Sequence, residues 1–93
     1  MLSCAGAYVA GADGSNECPA GSARIETEAA CRTAAAAAGK TPWSAFVQTW
    51  SGSPRGCFFD TITNEAVFNT HAVGAGSSNC QLLCAVTTGA PTA

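Results

Sequence analysis

The sequence predicts a small α+β domain in which disulfides hold one alanine-rich helix against a short antiparallel sheet. Three observations carry this prediction: six cysteines in only 93 residues, a single run of strong helix formers, and several short segments of alternating apolar and polar residues. A chain of this length forms one domain, residues 1–93, and its hydrophobic core is thin. We therefore expect disulfides to supply a large share of the stability.

The cysteine count favours a disulfide framework over a metal site. Six is an even number, which is typical of small domains folded in an oxidising compartment. Structural zinc sites use two close pairs of ligands, whereas this chain has one close pair, Cys80 and Cys84, and one histidine, His71. We predict no bound metal.

Residues 1–26 are predicted to be rich in loops, because GADGSNECPAGS is dense in turn-forming residues. Part of this segment resembles the first half of a calcium loop, with oxygen-bearing side chains at alternate positions Asp13, Ser15 and Glu17. The likeness ends there, because Cys18 and Arg24 stand where a calcium loop needs glycine and a bidentate glutamate. An Asx-type turn is the better interpretation.

A helix is predicted over about residues 28–38, where alanine dominates. Thr27 is a suitable N-cap, and Gly39 stands where a left-handed C-terminal cap is expected. Small side chains on one face let the helix lie close against a sheet, with a cysteine placed to link the two. This face comprises Cys31, Ala34, Ala35 and Ala38.

The remainder of the chain predicts four strands, at about 45–50, 56–60, 65–69 and 80–87. The segments CFFD and AVFN flank TITNE and predict a hairpin. In the last strand, alternation places Cys80, Leu82, Cys84 and Val86 on one face, where two separate cysteine partners could reach it.

Among the alternative pairings of six cysteines, this arrangement favours three bridges. Cys31–Cys57 would join the helix to a central strand, and Cys18–Cys84 and Cys4–Cys80 would tie the N-terminal segment to the last strand.

Charge excludes several function classes. The net charge is −2, and the four basic residues are scattered along the chain, so no patch could follow a phosphate backbone and no nucleic acid is expected. No apolar run is long enough to span a membrane. Charged residues make up only 11% of the chain, either because alanine inflates the apolar share or because a partner covers part of the surface.

Neither catalysis nor a cofactor is predicted. The six acidic residues show no spacing that requires a shared cleft, and His71 is the sole imidazole. A cysteine nucleophile would leave an odd thiol in the framework. Gly74 and Gly76 form a lone Gly-x-Gly, which indicates a turn before the last strand rather than a phosphate-binding loop.

The candidate binding residues are two tryptophans and one polar triplet. Trp43 and Trp50 carry the largest side chains, and core packing is the simpler interpretation of both. Because tryptophan often keeps one edge exposed, a shallow surface that combines them with Asn69, Thr70 and His71 could bind a sugar or a protein.

Several segments resemble a small cysteine-rich module of secreted and organelle-lumenal proteins of marine algae, dinoflagellates especially. They are CPAGSARIETEAACRTAAAAAGK at 18–40, PRGCFFD at 54–60 and AVFNTHAVGAGSSNCQLLC at 66–84. The resemblance implies that Cys18, Cys31, Cys57 and Cys84 belong to the module and that Cys4 and Cys80 form an added bridge, and it favours a non-enzymatic role. In layout, the helix-borne cysteine and the Gly-Cys-aromatic strand are also similar to PAN/apple interaction modules.

Together these observations favour a non-catalytic structural subunit that docks on a protein partner within a larger assembly. The algal resemblance implies the thylakoid lumen, with a photosystem or antenna complex, or else the cell exterior. A secreted carbohydrate-binding module is the alternative. The segment MLSCAGAYVAGADG lacks the basic start of a signal peptide, so we expect either a targeting segment ahead of Met1 in a longer precursor or a chain shortened for expression.

Overall fold

The computed structural model describes residues 8–87 as one helix and one mixed six-stranded sheet. The small α+β disulfide-rich fold is thereby confirmed. Strands β4 and β5 have the predicted bounds, while β3 begins and ends earlier than predicted. In chain order the elements are β1 (Tyr8–Ala10), β2 (Ser22–Arg24), α1 (Glu28–Ala37), β3 (Thr41–Gln48), β4 (Gly56–Asp60), β5 (Glu65–Asn69) and β6 (Cys80–Val86).

The prediction of a purely antiparallel sheet is wrong at β3. The strand order is β1-β6-β4-β5-β3, and β3 runs parallel to β5, with Thr41 opposite Glu65 and Val47 opposite Phe68. The chain passes from β3 to β4 and then returns as β5 between them. Alternation reveals which residues share a face of a strand, but it does not reveal which strand becomes the neighbour.

The N-terminal segment adds two strands that its composition did not predict. Both β1 and β2 pair antiparallel with β6, at Val9↔Cys84 and Ala23↔Ala85. Each strand has three residues, which is too short for an alternating pattern to stand out. The Cys18–Cys84 disulfide fastens the intervening loop to the same strand.

Both ends of α1 are capped as the sequence indicates. The Thr27 hydroxyl oxygen accepts a hydrogen bond from the Ala30 N–H at 3.2 Å. At the other end Gly39 has φ of 74°, and the Lys40 N–H reaches the Ala35 carbonyl, as in a Schellman motif. At 10 residues α1 is short, and nothing helical between residues 8 and 87 has the length and apolarity of a membrane-crossing segment.

The inner face of α1 lies close against the sheet because its side chains are small. Cys31, Ala34 and Ala35 are fully buried, whereas Ala38, predicted on the same face, is the C-cap residue and is exposed. Two cations cover aromatic rings at the edge of this core. Arg32 lies 4.2 Å from the centroid of Phe46, and Lys40 lies 4.0 Å from that of Phe59.

Two of the three predicted bridges are formed. Cys31–Cys57 links α1 to β4, and Cys18–Cys84 links the N-terminal loop to β6. These bridges fit folding in an oxidising compartment. The third predicted pair, Cys4–Cys80, cannot be placed, because Cys4 lies outside the described residues. Cys80 is a buried free thiol in this structure.

The opposite face of the sheet carries a second apolar cluster. It consists of Phe58, Val67, Cys80, Leu82 and Cys84, and Trp43 packs against its edge. Phe58 and its chain neighbour Phe59 lie on opposite faces, so Phe59 belongs to the cluster beneath α1. No second helix is described over this face, and part of it is open.

Candidate functional site

A shallow hollow of about 310 Å³ opens on the sheet face opposite α1. Its lining includes aromatic side chains, two acidic residues and a thiol. These residues are Trp43, Trp50, Phe58, Asp60, Glu65 and Cys80. We call this feature the tryptophan hollow.

The aromatic wall is a contiguous stack. The ring centroids of Trp43 and Trp50 are 5.7 Å apart, and those of Trp50 and Phe58 are 6.5 Å apart, both pairs being tilted. Phe58 is buried, while Trp50 keeps 36% of its surface exposed. Because the two indoles touch, no ligand fits between them, and the wall offers an exposed indole surface instead.

The carboxylates belong to the β4–β5 hairpin. Phe58 pairs with Val67 and Phe59 with Ala66, and one further step of this register places Asp60 opposite Glu65. The Oδ1 atom of Asp60 accepts hydrogen bonds from the Ile62 N–H at 2.7 Å and the Thr63 N–H at 3.2 Å. Its orientation is therefore fixed by the turn.

Asn69, one of the predicted binding residues, organises a loop. It is 1% exposed, and its Nδ2 donates to the carbonyls of Trp50, Ser53 and Pro54 at 2.8, 3.1 and 2.9 Å. Its Oδ1 accepts from the Trp50 N–H at 2.8 Å and the His71 N–H at 3.2 Å. Asn69 thus holds both backbone polar groups of Trp50, although it does not line the tryptophan hollow.

The other two polar candidates also serve local structure. The Thr70 hydroxyl lies 2.5 Å from that of Thr49 and 3.0 Å from the Gln48 carbonyl. The Nδ1 atom of His71 accepts from the Val73 N–H at 3.1 Å and the Gly74 N–H at 2.9 Å. These bonds assign the neutral ring proton to Nε2.

The structure does not bring all five predicted binding residues to one surface. Trp43 and Trp50 line the tryptophan hollow, whereas Asn69, Thr70 and His71 line a separate depression of about 200 Å³. In that depression Arg55 pairs with Glu26, with Nη1 and Oε1 2.9 Å apart. The single surface predicted from sequence is therefore two surfaces connected through Asn69.

Sequence reasoning missed Asp60 and Glu65 as parts of the site. The signal was present, because a hairpin built from CFFD and AVFN places alternate residues on one face. Extending that alternation outward from Phe58 and Val67 reaches the two acids. Asp60 and Glu65 become candidate binding residues only because Trp50, from a different part of the chain, lines the same hollow.

No metal-binding cluster is found in the described part of the chain. Among residues 8–87, no group of three or more His, Cys, Asp or Glu side chains is placed to hold a metal ion. In the segment that resembled half a calcium loop, the Ser15 hydroxyl oxygen accepts from the Glu17 N–H at 3.0 Å. That segment is a local turn.

The thiol of Cys80 gives a prediction for alkaline pH. Burial raises the pKa of this thiol, Asp60 and Asp13 add to the shift, and a hydrogen bond with Ser77 opposes it. The folded state therefore holds the proton more tightly than the unfolded state. The resulting stabilisation is complete below the unfolded thiol pKa of about 8.5 and is lost as pH rises through the folded pKa.

We compare Cys80→Ala with its parent, and both chains carry Cys4→Ser so that they differ only in the Cys80 thiol. We expect the free energy of unfolding to fall less steeply above pH 9 in Cys80→Ala. Urea denaturation between about pH 7 and pH 10 measures this difference. Parallel declines in the two proteins would show that Cys80 ionises equally easily in both states.

Comparison with known proteins gives no relative. The chain matches no protein-family model, no curated protein and no solved structure.

Proposed function

We propose that the protein is a non-catalytic saccharide-binding module whose ligand occupies the tryptophan hollow. The observation that carries this proposal is the setting of Trp50, which presents a partly exposed indole within a concave surface that also holds two carboxylates. The ring of Trp50 therefore offers a ligand an apolar surface with charged groups beside it.

The hollow offers the two kinds of contact that a sugar ring needs. An exposed indole packs against the apolar C–H face of a pyranose. Carboxylate oxygens accept hydrogen bonds from sugar hydroxyls, and Asp60 and Glu65 supply them. Ser53 and Thr63 add hydroxyl groups to the lining. The volume of about 310 Å³ is at the small end for ligand pockets and fits a short stretch of a glycan.

The hollow rests on a rigid support, which lowers the entropy cost of binding. Trp50 is fixed through its backbone by Asn69, Asp60 is fixed by its turn, and the underlying strands β4 and β6 each carry a disulfide. A preorganised surface of this kind can recognise a ligand without rearranging.

Binding on a glycan array, followed by titration of the best glycan, tests the proposal. We expect Trp50→Ala to weaken binding by more than about tenfold, because an exposed aromatic anchor carries much of the affinity of such a site. Tryptophan fluorescence should change on binding in the parent, and Trp43→Ala should lower affinity by removing the ring that supports Trp50.

Ile62→Ala is the matched control, because Ile62 is a large apolar side chain with 75% exposure that does not line the hollow. It should bind like the parent. Absence of binding across neutral and basic glycans would overturn the proposal, and so would equal affinity of Trp50→Ala and the parent.

Docking on a larger assembly is the second candidate function. It is favoured by the exposure of Val47 and Val73, at 44% and 67%, together with the low content of charged residues. The assembly would lie in an oxidising compartment, and the algal resemblance proposes the thylakoid lumen or the cell exterior. Native co-purification with mass spectrometry tests this candidate, and a protein that runs as a monomer without a stoichiometric companion speaks against it.

A further inference from the structure

We propose that the tryptophan hollow selects basic amino sugars, binding a protonated sugar amine between Asp60 and Glu65 in preference to the N-acetylated or anionic form. This inference rests on the proposed function and names the class of saccharide. The indole surface of Trp50 would pack on the sugar ring, and the paired carboxylates would receive its ammonium group.

The first step is the local charge of the hollow. One step beyond the Phe59–Ala66 pair, the hairpin register places Asp60 opposite Glu65, and both residues line the cavity. Like charges in directly opposed positions of a sheet are destabilising. A bound cation would offset the negative charge of these two side chains, whereas a neutral ligand would not.

The second step is that the basic side chains of the described chain are engaged elsewhere. Both ion pairs between side chains in residues 8–87, Arg32–Glu28 and Arg55–Glu26, lie outside the hollow. Lys40 covers the ring of Phe59 on the opposite face and donates to the Asn64 side-chain oxygen at 2.9 Å. Arg24 donates to the Arg55 carbonyl at 2.6 Å. Carboxylates of anionic sugars would therefore meet only like charge in the hollow.

The third step is the neighbouring aromatic wall. A cation is attracted to the face of an indole, and the attraction is strongest where water is partly excluded. Trp50 and the two carboxylates line one cavity, so an ammonium group held by the acids lies in a space that the indole also borders. The acids supply charge recognition, and the ring supplies affinity for the sugar itself.

Isothermal titration at about pH 6 and low salt tests the inference with three oligosaccharides of equal length, made of glucosamine, N-acetylglucosamine and galacturonic acid. We expect the glucosamine oligomer to bind about fivefold to tenfold more tightly than the N-acetylated one, a ratio typical of one or two partly exposed ion pairs. The preference should shrink as salt is added, because exposed charges are screened. The galacturonic acid oligomer should bind most weakly.

The double variant Asp60→Asn with Glu65→Gln removes both charges and keeps the shape of both side chains. The retained Oδ1 of residue 60 still accepts from the turn N–H groups. We expect this variant to bind the glucosamine and N-acetylglucosamine oligomers equally. Glu26→Gln and Glu28→Gln, which change acids outside the hollow, should keep the preference of the parent.

The outcomes separate the two proposals. If the N-acetylated oligomer binds through Trp50 but glucosamine gains nothing, the charge inference is wrong and the saccharide-binding proposal stands. If neither oligomer binds and no other glycan does, the saccharide-binding proposal itself is wrong. Glucosamine binding that survives Trp50→Ala unchanged would show attraction to the overall negative charge and would overturn the assignment to the hollow.

Discussion

Replacing Cys31 and Cys57 together by alanine is expected to lower the free energy of unfolding by about 4 kcal/mol. The bridge closes a loop with a sequence separation of 26, for which restriction of the unfolded chain accounts for about 3.5 kcal/mol. Both cysteines are fully buried between α1 and the sheet, so loss of their sulfur atoms adds a cavity term. A domain of this size has a total of about 5–15 kcal/mol, and much of it would be lost.

Urea denaturation followed by far-UV circular dichroism measures this loss. Cys80→Ala is the control, compared with its parent in a Cys4→Ser background, because it then removes a buried sulfur atom without breaking a bridge and should cost about 1 kcal/mol. The double variant Cys18→Ala with Cys84→Ala should also lose about 4 kcal/mol, since its longer separation of 66 offsets the partial exposure of Cys18. A loss below about 1 kcal/mol for the Cys31 and Cys57 pair would mean that packing alone holds α1 on the sheet.

The parts of the fold that could be predicted are those with local signals. The helix has a cap residue at Thr27, a run of alanine and a glycine after its end, and each of these acts within a few residues. The β4–β5 hairpin joins two alternating segments through a short turn. The placement of Cys31 on the inner face of the helix and Cys57 on the adjacent strand then brought one bridge within reach.

The parts that could not be predicted depend on contacts between distant segments. The parallel pairing of β3 with β5 arises because β5 lies between β3 and β4, and no residue in β3 specifies that neighbour. The pairing register of β3 with β5 also shifts between Pro42 and Val47, which interrupts the alternation of β3. The short strands β1 and β2 both pair with β6, one along each of its edges.

The candidate site, like the fold, could be predicted from the sequence only in part. Trp43 and Trp50 could be identified as binding candidates from their size and type, but their separation from Asn69, Thr70 and His71 could not. A polar triplet next to an aromatic residue looks the same in sequence whether it binds a ligand or a loop. The folded chain brings the carbonyls of Trp50, Ser53 and Pro54 to the Asn69 amide, and no local pattern in the sequence reveals these contacts.

Removing the Asn69 side-chain amide is expected to have the second large effect on stability. Asn69→Ala is expected to lower the free energy of unfolding by about 3 kcal/mol, because it leaves several backbone groups without partners in a nearly dry site. Asn69→Asp should cost at least as much, since a carboxylate oxygen would replace the Nδ2 donor and face three carbonyl oxygens. Ser78→Ala, at an exposed position between β5 and β6, should stay within about 0.5 kcal/mol of the parent.

Asn69→Ala also tests whether Asn69 positions Trp50 or only stabilises the loop. Asn69 holds the backbone of Trp50, so in Asn69→Ala the Trp50 N–H should exchange with solvent faster than in the parent under native conditions. Saccharide affinity should fall as well, although Asn69 does not line the hollow, because Trp50 is no longer preorganised. Unchanged exchange at Trp50 together with reduced stability would show that the Asn69 amide supports the loop but does not position the indole.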